Sequence, residues 1–304
     1  MTNDLDVTAQ IRHEVMQRYG VTPVGFLGHR LNETWLVASE KSRLVLRGYP
    51  SEPIGEITYE LKVLRRLHSI GWPVPLAVED LLHIDGRTWC LFTWLPGTCR
   101  PRSVAEGRVR GRLLAELHGS SVHLTELGQR DGCCFADEVI NDPELETCLR
   151  GYESIYPIEG HIMRWHLEQT QAIFACIEKE KADIQVLHSD FTPWNLLFDG
   201  ERLTGILDFE GTHLDYRVAD FALSWRGEYD EVIDGYQDVL KLTEIDTELL
   251  FPVYWAWCFL GVKEELQAKL IGHVPSHDFK WRIDHLLRRS SKYRCQMPLY
   301  PGRQ

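Results

Sequence analysis

One stretch of this 304-residue chain constrains the rest: VLHSDFTPWNLLFDGERLTGILDFEG, Val186 to Gly211. It sits among segments with helical patterning, yet IQVLH, WNLLF and LTGILDF are short β-type runs. The last two are split by Asp199-Gly200 and its neighbours, the residues of a tight hairpin turn. The hairpin is expected to return the chain so that Asp208 comes back beside Asn195, with His188 and Asp190 on the loop before it. Glu210, two residues beyond Asp208, would face the same way on an extended strand. Polar residues placed at strand ends in this order need a chemical reason.

The chain around this stretch divides by texture. Residues 1–95 contain β-rich runs broken by turn residues: VTPVGFLG, ETWLVAS, SRLVLRGYP, then LAVEDLLHI and TWCLFTWLP split by the hairpin turn DGR. One helix interrupts them, IGEITYELKVLRRLHSIG, with Ile57, Leu61, Leu64 and Leu67 at helical spacing. After LPGTCRPRS, where Pro96, Gly97 and Pro101 punctuate a connection, most segments to the end are helical. The expected fold class is α+β: a small β-rich N-terminal lobe over 1–95, and a larger, mainly helical lobe over 96–304 carrying one hairpin.

Moving a phosphoryl group from ATP to an alcohol needs a carboxylate to orient the hydroxyl and accept its proton. It also needs oxygen ligands for Mg²⁺, and a cation or backbone amides on the phosphates. HSDFTPWN supplies His188, Asp190 and Asn195 with the Asp-x-x-x-x-Asn spacing of kinase catalytic loops, and ILDFEG supplies Asp208 after a strand. Together, LHSDFTPWNLLFD, LTGILDFEG and DYRVADFA resemble the aminoglycoside phosphotransferase and choline kinase superfamily, which includes type II homoserine kinases. The resemblance covers most of the chain and is most specific from His188 to Ala222.

That resemblance implies a bilobal protein-kinase-like fold acting on small molecules. It makes Asp190 the catalytic base, His188 the brace of its loop, Asn195 and Asp208 the Mg²⁺ ligands, and Asp220 structural. In LVLR it puts Arg47 at the phosphate-binding position, where many relatives carry Lys, with Glu60 as partner and Glu56 one turn away. SIGWPVP resembles the exit from that helix, LLAELH a packing helix, and FTWLPG, with Phe92 and Trp94, the hinge whose backbone would hold adenine. Gly28, the backbone after it and Asn32 are the candidate phosphate contacts in a loop with only Gly25 and Gly28. Two departures stand out. Ser189 occupies a position where Gly is usual, and DFEG without a later A-P-E argues against a protein substrate.

Composition supplies exclusions. A content of 44% hydrophobic and 26% charged residues describes an ordinary globular chain. A net charge of −12 argues against a nucleic-acid partner. No run reaches the roughly 18 apolar residues of a membrane helix, and the polar start carries no signal core, so a cytoplasmic location is expected. Eight cysteines, Cys90, Cys99, Cys133, Cys134, Cys148, Cys176, Cys258 and Cys295, form no CxxC pair, so reduced, mostly buried thiols and no zinc site are expected. From Asp199 to Glu248 there are fourteen acidic and four basic residues, a net of −10. That run is either a solvated acidic face or a site that attracts a cation. Asp215, Trp225, Glu228, Tyr229, Asp230, Trp255 and Trp257 are candidate acceptor contacts, with the tryptophans also suited to core. DGYQDVLKLTEIDTELL resembles the matching segment of type II homoserine kinases. The expected acceptor is a small, amine-bearing alcohol, an amino alcohol or an aminoglycoside. A kinase fold that binds nucleotide without catalysis is the alternative.

Overall fold

The structure is a computed structural model that describes residues 2–29, 32–49, 54–270, 280–294 and 297–302. It divides into two compact units: residues 1–100 with 194–210, and residues 101–193 with 211–304. The hairpin placed in the helical lobe by texture therefore clusters with the β-rich unit.

The first unit is built on a five-stranded antiparallel sheet in the order β1-β2-β3-β5-β4. Its strands are β1 (Thr22–His29), β2 (Glu33–Ala38), β3 (Arg43–Tyr49), β4 (Leu82–Ile84) and β5 (Arg87–Thr93). Asp85 and Gly86 both take positive φ, 52° and 75°, as a two-residue hairpin joining Ile84 to Arg87 requires. β1 carries bulges between Pro23 and Gly25 and between Phe26 and Gly28. Helix α1 (Thr2–Arg18), for which the sequence offered no signal, places Val15 and Met16 against Val37, Leu44, Leu46, Trp89 and Leu91 of the sheet. Helix α2 (Ile54–Ser69) buries Ile57, Val63, Leu64 and Leu67, and also Glu60.

The hairpin of β7 (Leu196–Asp199) and β8 (Arg202–Ile206) belongs to this unit through backbone hydrogen bonds. Thr98 and Phe198 exchange N–H···O bonds of 3.0 Å, and Ile206 N–H donates to Pro73 O at 2.8 Å. Gly97, at φ 131°, packs so closely on Thr204 Oγ1 that a Cβ there would stand 2.4 Å from it.

The second unit is mainly helical, with β6 (Ile184–Val186) paired to β9 (Leu214–Tyr216). Its helices are α3 (Val104–Ser121), α4 (Ala136–Ile140), α5 (Pro143–Ile155), α6 (Pro157–Phe174), α7 (Phe221–Trp225), α8 (Asp230–Gln237), α9 (Glu244–Phe259), α10 (Val262–Leu270) and α11 (Lys280–Leu286). Ser103 caps α3 through Glu106 N–H, and Thr243 and Asp246 form a reciprocal cap on α9. α3 and α8 approach through Gly111 and Gly235. A Cβ on Gly111 would lie 1.9 Å from Val232 O, and one on Gly235 2.2 Å from Arg108 O. α9, apolar nearly all round, is the central helix of the core, with Leu249 to Ala256 buried in sequence. Trp225 and Trp255 are fully buried, which removes them from the acceptor candidates. Cys90, Cys148 and Cys258 are buried, whereas Cys99, Cys134 and Cys176 are exposed, so the thiols are less buried than expected. Cys295 lies outside the described residues.

Two histidines are built into this core. His166 lies among Trp165, Trp255 and Tyr300, and donates through Nδ1 to Ile162 O at 2.7 Å. His285 accepts from Tyr254 Oη at 2.6 Å. Burial, with Arg294 and Arg289 nearby, lowers His166 to about 4. Burial, with Arg288 and Arg226, lowers His285 to about 3. Both are therefore neutral in the folded chain at pH values where the unfolded chain protonates them, near 6.5. Their stabilising effect is complete above pH 6.5 and is lost as pH falls toward 4, up to about 2 kcal/mol per histidine at pH 5. The urea midpoint should therefore drop between pH 7.5 and pH 5, and His166→Gln should flatten the decline. An unchanged slope in that variant would contradict this assignment.

Candidate functional site

The residues singled out from the sequence fall into two groups, one in each unit. In the first unit β3 presents Arg47, which is largely buried. Arg47 Nη1 stands 3.3 Å from Glu60 Oε1 on α2, and Nη2 stands 3.7 Å from Asp208 Oδ1 at the end of the hairpin. Tyr49 Oη donates to the other Glu60 oxygen at 3.2 Å. Of the two glutamates considered as partner, Glu60 is the one at this distance. Burial works against the guanidinium charge, but Tyr49, Glu60, Asp208 and Glu210 outweigh it and raise its pKa. Arg47 Nε is buried and hydrogen-bonds to nothing among the described residues, so donor capacity remains for an anion.

The hairpin brings Asn195 and Asp208 together at its open end. A turn of 3-10 helix, Pro193–Asn195, leads into β7, and Leu207 N–H donates to Asn195 O at 2.8 Å. Asp208 takes φ 65°, a left-handed conformation that costs a residue with a side chain of order 1–3 kcal/mol. Glu210 accepts from Asn32 Nδ2, so two residues chosen for different roles meet. Oxygen donors from Asp208, Asn195 and Glu210 suit a hard cation such as Mg²⁺. Among the described residues no three His, Cys, Asp or Glu side chains group as metal ligands, so the Asn195 amide is needed in such a set.

Gly28 pairs with Thr34, and a Cβ on it would meet nothing within 4 Å, which leaves room for a ligand to approach the backbone. Arg30 and Leu31, in the loop expected to contact phosphates, lie outside the described residues. Phe92 is buried on β5, with its ring centroid 5.7 Å from the Arg47 guanidinium, so its side chain supports Arg47. Trp94, just past β5, is partly exposed.

In the second unit the loop from Leu187 to Thr192 is held by buried groups on every side. Asp220, fully buried, accepts from His188 N–H at 2.9 Å and Ser189 N–H at 2.6 Å, and bonds His118 Nε2 at 3.0 Å. Burial would raise the Asp220 carboxyl, but the hydrogen bonds it accepts, from His118 first and from the His188 backbone N–H, outweigh it and lower the pKa. His188 is buried, and its Nδ1 accepts Asp190 N–H at 3.2 Å. Thr212 Oγ1 donates to Leu187 O at 2.6 Å, and Ser224 Oγ donates to Phe191 O at 2.8 Å. Asp190, half-buried, sits at the centre of this frame.

One support was missed in the sequence. Arg110 and Glu106 form a buried i,i+4 ion pair on α3 at 2.8 Å, and Arg110 Nη1 donates to Ser224 Oγ at 2.6 Å. The Glu-x-x-x-Arg spacing in VAEGRVRG was the available signal. Several acids of the run are matched by cations, all but Arg217 from outside it. Asp238 meets Arg108 and Arg112, Asp234 meets Lys292, Glu228 meets Arg288, and Asp246 meets Arg217. Asp215 is buried and accepts from Ala136 and Tyr216 N–H, while Asp230 accepts from Trp225 Nε1 and Ser291 Oγ. Trp257 stacks on Tyr254.

A β-rich unit with an Arg–Glu pair, and a helical unit with a braced His-x-Asp loop, are the two parts of a kinase-like fold. The chain belongs to the phosphotransferase enzyme family, whose model matches residues 24–246. It is 25% identical over 232 residues to a homoserine kinase of Zymomonas mobilis, across 70% of each chain. It is 26% identical over 182 residues to an aminoglycoside 3'-phosphotransferase of Streptomyces fradiae, across 58% of this chain and 66% of that one. Its fold matches spectinomycin phosphotransferase, solved with ADP and spectinomycin, at a TM-score of 0.61 and 12% identity over 92% of each chain.

Ser189 explains why Gly is usual at its position: its φ is 69°. Ser189→Gly keeps the N–H that Asp220 accepts and relieves the left-handed strain. It should stabilise the protein by about 1 kcal/mol in a thermal or urea melt. A loss of stability would mean that the Ser189 Oγ contact with His213, 3.2 Å, outweighs the strain.

Proposed function

We propose that this protein transfers the γ-phosphoryl group of ATP to a hydroxyl of a small, amine-bearing molecule. The observation that carries the proposal is Asp208, held in a left-handed conformation beside Arg47 and next to Asn195 on the hairpin. Strain of this kind persists where the surrounding structure over-determines it, as functional positions do. Family membership and the relatives named homoserine kinase and aminoglycoside phosphotransferase support the reaction class. ADP in the spectinomycin phosphotransferase structure supports a nucleotide donor.

Asp190 is the base in this scheme. It takes the proton of the acceptor hydroxyl as that oxygen bonds the γ-phosphorus and the bond to the bridging oxygen of ADP breaks. His188, Asp220 and Ser224 hold its loop, so the carboxylate is oriented before substrate arrives. Arg47, itself oriented by Glu60, offers a planar fork to the phosphate oxygens where a lysine would offer a point charge. Asn195, Asp208 and Glu210 would hold Mg²⁺, which when bound neutralises phosphate charge. Gly28, Asn32 and the backbone near Phe92 and Trp94 are the proposed contacts of the nucleotide.

ADP release with Mg²⁺·ATP, measured across homoserine, choline, ethanolamine, sugars and aminoglycosides, tests this. Acceptor-dependent release should fall by at least about 10²-fold in Asp190→Ala, with ATP binding retained. Full turnover in that variant would refute the base assignment, and ATP binding with no turnover on any acceptor would favour a non-catalytic kinase fold.

A further inference from the structure

Beside the Asp190 loop, within the second unit, runs a set of contacts that the scheme above does not use. Leu187 N–H donates to His213 O at 2.8 Å, and Thr212 Oγ1 donates to Leu187 O at 2.6 Å, so residues 212–213 lie alongside the start of the loop. A Cβ on Gly211 would stand 3.2 Å from Ser189 Cβ. The His213 imidazole, largely buried, is thereby set against Ser189. Its Nδ1 lies 2.8 Å from Gly211 O and 3.2 Å from Ser189 Oγ. A carbonyl oxygen only accepts, so Nδ1 carries a hydrogen, which Ser189 Oγ can share. Nε2 stands 3.8 Å from Asp215 Oδ2, too long for a hydrogen bond and within ion-pair reach.

The two oxygens of Asp215 have different tasks. Oδ1 accepts the backbone N–H groups of Ala136 and Tyr216 at 3.2 and 2.7 Å, a task that an asparagine oxygen performs as well. Oδ2 meets only His213 among the described residues. A bare Nε2 would set its lone pair toward that carboxylate, whereas Nε2–H is attracted to it. Burial works against the imidazolium, but Asp215, the Gly211 carbonyl and the charge of Asp220 outweigh it and raise the His213 pKa above 6.5. Burial raises the Asp215 carboxyl as well, so both shifts keep a proton in the pair as pH rises. Of the other groups packed here, Arg130 reaches Thr212 O at 3.5 Å, and the Cys134 thiol and Tyr216 phenol are held neutral, by burial first.

Building on the phosphotransferase assignment above, we infer that His213 is a positioning residue for the Asp190 loop. Charged and facing Asp215 Oδ2, it holds Ser189 through Oγ, and turnover follows its charge. Ser189 precedes Asp190 directly and sits at φ 69°, a conformation that persists only where it is held. Asp220 holds its N–H, and His213 holds its side chain. Once Nε2 loses its proton, attraction to Asp215 gives way to repulsion and Ser189 loses its second hold. The brace is therefore complete below pH 6.5 and is lost as pH rises through the raised His213 value.

The test measures ADP release from pH 6 to 9.5, with L-homoserine and with kanamycin as acceptors, and hydrogen exchange of the peptide covering 187–192. The proteins are the wild-type chain, His213→Asn, Asp215→Asn and Ser189→Ala. His213→Asn keeps an N–H for Gly211 O and carries no charge, and Asp215→Asn keeps the Oδ1 acceptor. Wild-type kcat should fall about 3- to 10-fold on the alkaline side, as loss of one hydrogen bond allows, with the KM for ATP constant. Asp215→Asn should move that fall to lower pH. His213→Asn and Ser189→Ala should remove it, leaving kcat at the wild-type alkaline level throughout. Exchange in His213→Asn should be faster than in wild type at pH 6.5 and equal to it at pH 9. No alkaline fall in wild type, a fall that no variant moves, or equal exchange at pH 6.5 would overturn the role while leaving the phosphotransferase assignment intact. If neither acceptor is turned over, that assignment is what fails, and exchange alone decides the brace: faster in His213→Asn at pH 6.5 supports it, equal overturns it. Should His213→Asn not fold, Ser189→Ala takes its place in the exchange comparison.

Discussion

Arg47 is the interaction on which the first unit's functional half depends. Its guanidinium reaches Glu60 on α2 and faces Asp208 on the hairpin, so one cation relates three elements distant in sequence. Its surroundings are mostly protein, where an unpaired charge is costly and breaking a buried pair by removing one partner costs about 3–5 kcal/mol. Glu60 is therefore a condition for Arg47 to sit there at all. Asp208, more exposed, is the weaker and more replaceable partner. That asymmetry suits the proposal that Arg47 and Asp208 exchange this contact for a phosphate and a metal ion.

The second unit uses neutral and ionic hydrogen bonds to a related end. Asp220 fixes two consecutive N–H groups of the Asp190 loop, and Arg110 fixes Ser224, which fixes the Phe191 carbonyl. None of these groups has to meet a substrate to matter. They make the conformation of the loop a property of the folded core, as the base role proposed for Asp190 requires.

Much of this was legible in the sequence because it is local. The Asp-x-x-x-x-Asn spacing and the hairpin that returns Asp208 lie within about twenty residues of one another. The β-rich composition of β1, β2 and β3 and the period of α2 mark their elements directly. What was not legible is nonlocal. α1 holds few apolar residues, and only its packing on Trp89 and Leu91 shows its place. The hairpin's allegiance to the β-rich unit rests on Thr98, Gly97 and Pro73, far away in the chain. The acidic run from Asp199 to Glu248 is the clearest lesson. Counted along the chain it is strongly negative, yet its countercharges come from Arg108, Arg112, Arg288 and Lys292, outside the window.

The central claim is that the first unit holds a metal–nucleotide complex through the end of its hairpin. The most direct measurement is calorimetric titration of ATP with and without Mg²⁺, on the wild-type chain and on Asp208→Asn. Asparagine tolerates the left-handed backbone at this position, so the substitution removes charge while preserving conformation. The account predicts that Mg²⁺ tightens ATP binding to the wild-type chain and that this gain disappears in the variant, with its melting temperature held. Equal Mg²⁺ dependence in both proteins would contradict it.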